Sequence, residues 1–216
     1  MRLALSTHHR ALALEEVLLV IAAIVVLAGV VVLPRLARAR TPAHPLRCVN
    51  NLRQVGLAMR IFANDHDDKF PWKTETTNGG TIGLIESPEV FRHFLVASNE
   101  LSTAKILACP ADPNRLRTHD FSQFSNSNLS YFVGVDSDES MPQTLLSGDR
   151  HISGGTLSNN FMRTVKPTWA VGWTPEMHQG TGNIAMGDGS VMPTTSASLQ
   201  QLFSSNTLPF MRLAIP

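Results

Sequence analysis

The sequence predicts an α+β protein in which a long amino-terminal transmembrane α-helix precedes a globular domain with a small antiparallel β-sheet. One observation is a run from Val17 to Leu33 without charged or strongly polar residues, near the lower limit for a helix that crosses a bilayer. A second is the helical periodicity of apolar residues that resumes at Leu46. The third is a series of short alternating segments in the second half of the chain, which is typical of β-strands.

Length and composition limit the organisation and the partners. The 216 residues provide for one membrane segment and one domain of roughly 150–170 residues. The net charge of +1 argues against nucleic acid as a partner. The only cysteines, Cys48 and Cys109, cannot build a structural zinc site by themselves. They are candidates for a disulfide if the domain is exported, and the sequence leaves their pairing open.

A basic leader over residues 1–11 precedes the apolar run, which is the layout of an export signal. A cleaved secretory signal is therefore one interpretation of the amino terminus. Two features favour a retained hydrophobic helix over residues 12–33. The run has no small-x-small cleavage site at its carboxyl end, and Glu15 and Glu16 stand at its entrance, where a carboxylate is costly unless it is paired.

The segment ALALEEVLLVIAAIVVLAGVVVL at 11–33 resembles the amino-terminal signature of type IV pilins and of the pseudopilins of type II secretion. The resemblance implies that prepilin peptidase cuts after Ala11 and that Leu12 becomes the N-methylated terminus. It also implies that Glu16, the fifth mature residue, pairs with the α-amine of Leu12 on a neighbouring subunit. The family usually has glycine before the cut and Phe or Met after it, where this chain has Ala11 and Leu12.

Residues 34–68 are predicted to form a helical stem. Leu52, Val55, Met59 and Phe62 fall on one helical face, which predicts packing against the domain. The stretch CVNNLRQVGLAMRIFANDHDDKFP resembles the stem of a pseudopilin-like group found in planctomycete and verrucomicrobial bacteria. The segment KILACPADP, and a histidine followed at a fixed interval by Asp-Gly, resemble the same group, and together they imply a pilin-like fold.

Two sets of residues are weak candidates for metal ligands. Asp65 and Asp67 stand at the end of the stem and could supply oxygens to calcium, but they lack the glycine and distal glutamate of an EF-hand loop. A polar helix terminus is the favoured interpretation. His178 and Asp188 are the histidine and aspartate of the Asp-Gly motif, and they either share a cation or a hydrogen bond or serve only to shape turns. No cofactor is assigned, with calcium kept as the alternative.

The globular domain is predicted over residues 69–216. Aromatic and β-branched content predicts neighbouring strands at 129–135 and 144–148 and a further strand at 169–173. Asp188-Gly189 predicts a tight hairpin in which both residues have positive φ. A short helix is expected at 196–204, followed by an apolar tail that packs back. The mixed-charge triplet Asp149-Arg150-His151 is interpreted as a solvated loop.

The resulting expectation is a structural pseudopilin subunit and not an enzyme. The resemblance implies a single-pass protein of the inner membrane whose carboxyl-terminal domain faces the periplasm. It implies other pseudopilin subunits, prepilin peptidase and the inner-membrane assembly platform as partners, in homo- and hetero-oligomers built through the amino-terminal helix. The product would be a filament of a type II secretion-like or type IV pilus-like apparatus.

Two alternatives come from other functional classes. The first is a membrane-anchored protein that never polymerises and binds a carbohydrate or surface ligand, with Trp72, Trp169 and Trp173 as candidate platforms. The second is a membrane-bound enzyme that uses His178, Asp188 and Asp149 at a metal.

Overall fold

The computed structural model describes residues 14–38 and 43–216. The chain divides into two compact units, Met1–Ala43 and His44–Pro216. The first contains helix α1 (Leu14–Arg38). The large apolar side chains described in this helix, from Val17 to Val30, are exposed, with exposed fractions from 40% at Val17 to 72% at Leu19.

The prediction of a membrane-spanning helix is wrong on this structure. Within the described ranges, no helix combines the length and the apolar character that crossing a membrane takes. The uncharged run between Glu16 and Pro34 is shorter than the roughly 20 residues of an average crossing helix.

Helix α2 (Ala43–Asn64) is the amphipathic element of the second unit. The predicted inner face is confirmed, because Leu52, Val55, Met59 and Phe62 are all buried. In the turn that follows the helix, Asp67 and Asp68 lie in the left-handed region, with φ of 55° and 57°. Two single-turn helices, α3 (Arg92–Leu95) and α4 (Ser98–Leu101), lie farther along the chain.

The prediction of a small sheet is also wrong, because a seven-stranded antiparallel sheet dominates this unit. The strands of the unit are β1 (Tyr131–Gly134), β2 (Leu145–Asp149), β3 (Ile152–Gly154), β4 (Thr156–Ser158), β5 (Met162–Val165), β6 (Val171–Trp173), β7 (Thr181–Met186), β8 (Val191–Thr195) and β9 (Met211–Ala214). The strand order of the sheet is β4-β5-β9-β1-β2-β7-β8, and β3 and β6 form a separate pair.

The apolar tail was expected only to pack back on the domain, but it forms a strand of the sheet. It supplies β9, which pairs with β1 on one side and β5 on the other and so joins the two parts of the sheet. The hairpin of β7 and β8 is present, with Ala185 paired to Val191. Within it only Gly189 has a positive φ, at 83°, and Asp188 does not. The connection is thus wider than the predicted tight turn.

The sheet separates two hydrophobic clusters, because successive strand residues point to opposite faces. In β1, Tyr131 and Val133 join the cluster that contains the buried face of α2. Phe132 between them joins the other cluster, which contains Leu199 and Phe203 of helix α5 (Ser196–Ser205). The sheet is therefore packed on both faces, and polar residues on its strands are buried with it.

Candidate functional site

A disulfide joins Cys48 in α2 to Cys109, which follows a short 3₁₀ turn at Ala104–Leu107. The two residues are 61 positions apart, their Cα atoms are 5.2 Å apart, and both side chains are buried. A crosslink closing a loop of this length stabilises the fold by about 4 kcal/mol in the chain-entropy description. Disulfides persist in oxidising compartments, so the crosslink indicates an extracytoplasmic location.

His178 lies against this disulfide. Its Nε2 is 3.3 Å from Cys109 Sγ and 3.4 Å from Asp149 Oδ2, and its side chain is only 5% exposed. The backbone at His178 is left-handed, with φ of 49°, and Gln179 and Gly180 continue in that region. Thr181 stabilises the turn, because its amide and its hydroxyl both donate to the carbonyl of His178. The strained turn thus fixes the imidazole between the sulfur and the carboxylate.

Asp149 is the last residue of β2 and is fully buried. The backbone N–H and the side-chain Nδ2 of Asn183, on the neighbouring strand β7, both donate to its Oδ2, at 2.7 and 2.8 Å. Among the residues described, its Oδ1 has no hydrogen-bond partner. Burial raises the pKa of Asp149 to about 7, although the bonds from Asn183 act in the opposite direction. Burial and the charge of Asp149 raise the pKa of Tyr131, which pairs with it across β1 and β2.

Charged groups surround this centre. Arg150 donates two hydrogen bonds to Asp112, at 2.8 and 3.1 Å, and these contacts hold the pKa of Asp112 below its usual value despite burial. His151 Nε2 lies 2.7 Å from Glu176 Oε2. Burial lowers the pKa of His178, and the nearby His151 adds to the effect. The lowered pKa favours a neutral imidazole at His178, which is the form that binds metals.

Cys48, Cys109 and His178 form a group with metal-ligand spacing, since their ligand atoms all lie within 4.8 Å of one another. In the described part of the chain, neither Asp65 nor Asp67 belongs to such a group. His178 and Asp188 are not brought together. They lie beyond opposite ends of β7, a strand of six residues that spans roughly 20 Å, and Asp188 is exposed.

The sequence-based interpretation of Asp149-Arg150-His151 as a solvated loop is wrong. Asp149 is 0% and His151 only 5% exposed, because β2 is an internal strand between β1 and β7 and carries its final residue into the interior. Asn183, which orients Asp149, lies in no sequence motif that predicts a role for it. The strand LLSGD ends at Asp149, one residue beyond the strand predicted at 144–148. Extending the predicted strand by that residue would have placed Asp149 in the sheet.

The remaining candidate residues lie apart from this centre. Ala11 and Leu12 fall outside the described residues, and Glu16 is exposed in the first turn of α1. The three tryptophans do not form one platform. Trp72 and Trp173 are buried, with exposed fractions of 1% and 6%, so only the half-buried Trp169, beside Lys166, is accessible to a ligand.

Comparison with known proteins adds no assignment. No family model, no curated protein and no solved structure matches this chain.

Proposed function

We propose that the chain is a structural, pseudopilin-like subunit that polymerises through α1 into a filament of a type II secretion-like or type IV pilus-like apparatus. The observation that carries the proposal is the exposed apolar surface of α1. Its side chains from Val17 to Leu27 include no polar face, and the exposed fractions of Ile24 and Leu27 are 60% and 69%. A contiguous apolar surface of this kind marks an interaction site.

Other copies of the same helix are the partners that fit this surface best. The helix is about 37 Å long, at 1.5 Å per residue over its 25 residues, and offers apolar contacts along most of that length. In a bundle of such helices each apolar side chain packs against those of its neighbours, and the exposure seen in a single copy is removed.

Glu16 would set the register between subunits. The carboxylate lies at the amino-terminal edge of the apolar run and is exposed. Cleavage after Ala11 by prepilin peptidase would free an α-amine at Leu12, and that cation on a neighbouring subunit would pair with the carboxylate. Only one stagger of the two helices brings the charges together, so the pair would select that stagger.

The second unit supplies the body of the subunit. We place it in the periplasm, at the outer face of the inner membrane where the assembly platform works, and the disulfide supports an oxidising location of this kind. The seven-stranded sheet, packed on both faces, would hold a fixed surface on the outside of the filament. In this role the protein carries out no reaction of its own.

The test compares two neighbouring acids. The full chain is expressed with prepilin peptidase and an assembly platform, and filaments are sheared from the cells and quantified. Glu16→Ala is expected to abolish the sheared filaments while the protein accumulates at the normal level. Glu15→Ala is the matched control, because it removes the same charge one position away, and it should leave assembly intact. Normal filaments from Glu16→Ala would rule out the register role. Equal loss of filaments in Glu15→Ala and Glu16→Ala would show a general effect of helix charge and not a specific role of Glu16.

A further inference from the structure

We propose that Cys48, Cys109, His178 and Asp149 form a zinc site when the disulfide is reduced. The same residues would then serve two states of the protein, a covalent crosslink in the oxidised chain and a metal centre in the reduced chain. The inference concerns the second unit alone and does not depend on filament assembly.

Two of the distances, both made by His178, already approach those of a tetrahedral zinc site. In such a site a sulfur and a nitrogen ligand lie about 3.6 Å apart, and a nitrogen and an oxygen ligand about 3.4 Å apart. His178 Nε2 is 3.3 Å from Cys109 Sγ and 3.4 Å from Asp149 Oδ2. Breaking the S–S bond lets the two sulfurs separate to the roughly 3.8 Å of a zinc site. Asp149 lies outside the group of mutually close ligand atoms formed by Cys48, Cys109 and His178, so its carboxylate must also move towards the sulfurs.

The surroundings of Asp149 provide a second, independent observation. Its carboxylate is fully buried, and Oδ1 accepts no hydrogen bond from any residue that the structure describes. A buried polar atom without a partner is costly, and a cation that reached Oδ1 would remove that cost. Oδ2 is the oxygen that lies 3.4 Å from His178 Nε2. Asn183 donates twice to Oδ2 and so fixes the carboxylate in the orientation that faces His178, as the outer-shell residues of metal sites do.

The ligand set selects the metal. Two thiolates, an imidazole and one carboxylate are the donors that zinc binds, whereas calcium takes six to eight oxygens. The site is closed to solvent, since both cysteines are buried and the side chain of His178 is 5% exposed. Closed four-ligand sites of this kind hold structural zinc and stabilise the fold directly.

The conversion balances with a dithiol as the reductant. One thiolate of the dithiol attacks a sulfur of the Cys48–Cys109 bond, and its second thiol releases the mixed disulfide. Two electrons and two protons pass to the protein, which gains two thiols, and the dithiol becomes a disulfide. Zinc then replaces the two thiol protons, which are released to solvent.

The experiment compares the full chain prepared in two redox states. Chain made in a reducing cytosol carries free thiols, chain exported to a periplasm carries the disulfide, and intact mass distinguishes them by two hydrogens. Each preparation is titrated with Co²⁺ alone, whose thiolate charge-transfer band and intense visible bands report tetrahedral sulfur coordination. The reduced chain is expected to bind one Co²⁺, which zinc displaces, and the oxidised chain is expected to bind none.

Variants assign the ligands. His178→Gln is expected to weaken Co²⁺ binding by more than about 100-fold, and Asp149→Asn by about 10- to 100-fold. His151→Gln is the matched control, because this imidazole is also buried nearby but its Nε2 lies 2.7 Å from Glu176 Oε2, and it should leave the affinity unchanged.

Circular dichroism separates folding from binding. A reduced chain that folds only when the metal is added would support the site, since structural zinc and folding are coupled. Equal Co²⁺ binding by both redox states, absence of the thiolate band, a reduced chain that neither binds nor folds, or unchanged affinity in His178→Gln would each overturn the proposal.

Discussion

The two long helices of this protein differ in what covers their apolar residues. Helix α1 has 25 residues and α2 has 22, so their lengths are similar. In α2 the apolar residues recur at helical spacing and are buried against the sheet, as with Phe62 at 2% exposure. In α1 they are continuous and exposed, as with Leu27 at 69%. The apolar residues of α2 are thus buried within its own unit, whereas those of α1 from Val17 to Val30 are exposed.

The largest expected effect distinguishes the helices by their contribution to folding. Phe62→Ala should lower the free energy of unfolding by about 3–5 kcal/mol, because it leaves a cavity beneath α2. Leu27→Ala is the matched truncation in α1 and should change the free energy of unfolding by less than about 0.5 kcal/mol. Urea unfolding followed by tryptophan fluorescence measures both, since Trp72 and Trp173 are buried in the two clusters. Similar losses in both variants would contradict the contrast between the helices.

A somewhat smaller effect is expected from pH, and it belongs to the second unit alone. His93 is fully buried, its Nδ1 is 2.7 Å from Thr81 Oγ1, and burial lowers its pKa from 6.5 to about 4. Above pH 6.5 the imidazole is neutral in both states and its contribution to stability is complete. As the pH falls towards 4 the unfolded chain takes up the proton first, so about 3 kcal/mol of stability is lost.

Urea unfolding at a series of pH values measures this loss, and His93→Gln provides the comparison. The variant should be less sensitive to pH between 6.5 and 4 than the unaltered chain. An identical pH profile in the two proteins would show that the acid sensitivity arises from other groups.

The smallest expected effect on stability accompanies a large effect on assembly. Ile24→Asn in α1 should leave the unfolding of the second unit unchanged and should reduce the filaments recovered by shearing, because a polar group would be buried among apolar helices. Leu57→Asn in α2 is the matched control, since Ile24 and Leu57 are both 60% exposed. It should alter neither quantity. Loss of filaments in Leu57→Asn but not in Ile24→Asn would show that the assembly surface lies on α2.

Local patterns in the sequence predicted part of this fold. The buried face of α2 and the hairpin of β7 and β8 are encoded by residues close together in the chain, and both are present. The position of β9 depends on pairing with β1 and β5, which are far away in sequence, and its four residues carry no pattern that names those partners. The extent of the sheet was missed for this reason.

The candidate site was predictable only in fragments. His178 was selected from its motif, and Cys48 and Cys109 were selected as a candidate pair. The metal-enzyme alternative paired His178 with Asp149, but the contact of His178 with Cys109 was not predicted. The favoured interpretation left Asp149 in solvent, because a charged triplet next to a predicted loop is normally solvated. Burial of Asp149 follows from the internal position of β2 between β1 and β7, and an internal position is a property of the assembled sheet.

Assembly through α1 is tested most directly by the mass and amino-terminal sequence of the chain recovered from sheared filaments. We expect the chain to be present in the filament fraction and to begin at N-methylated Leu12, with its disulfide intact. A chain that still carries Met1–Ala11, or that is found only as a monomer, would contradict assembly through α1.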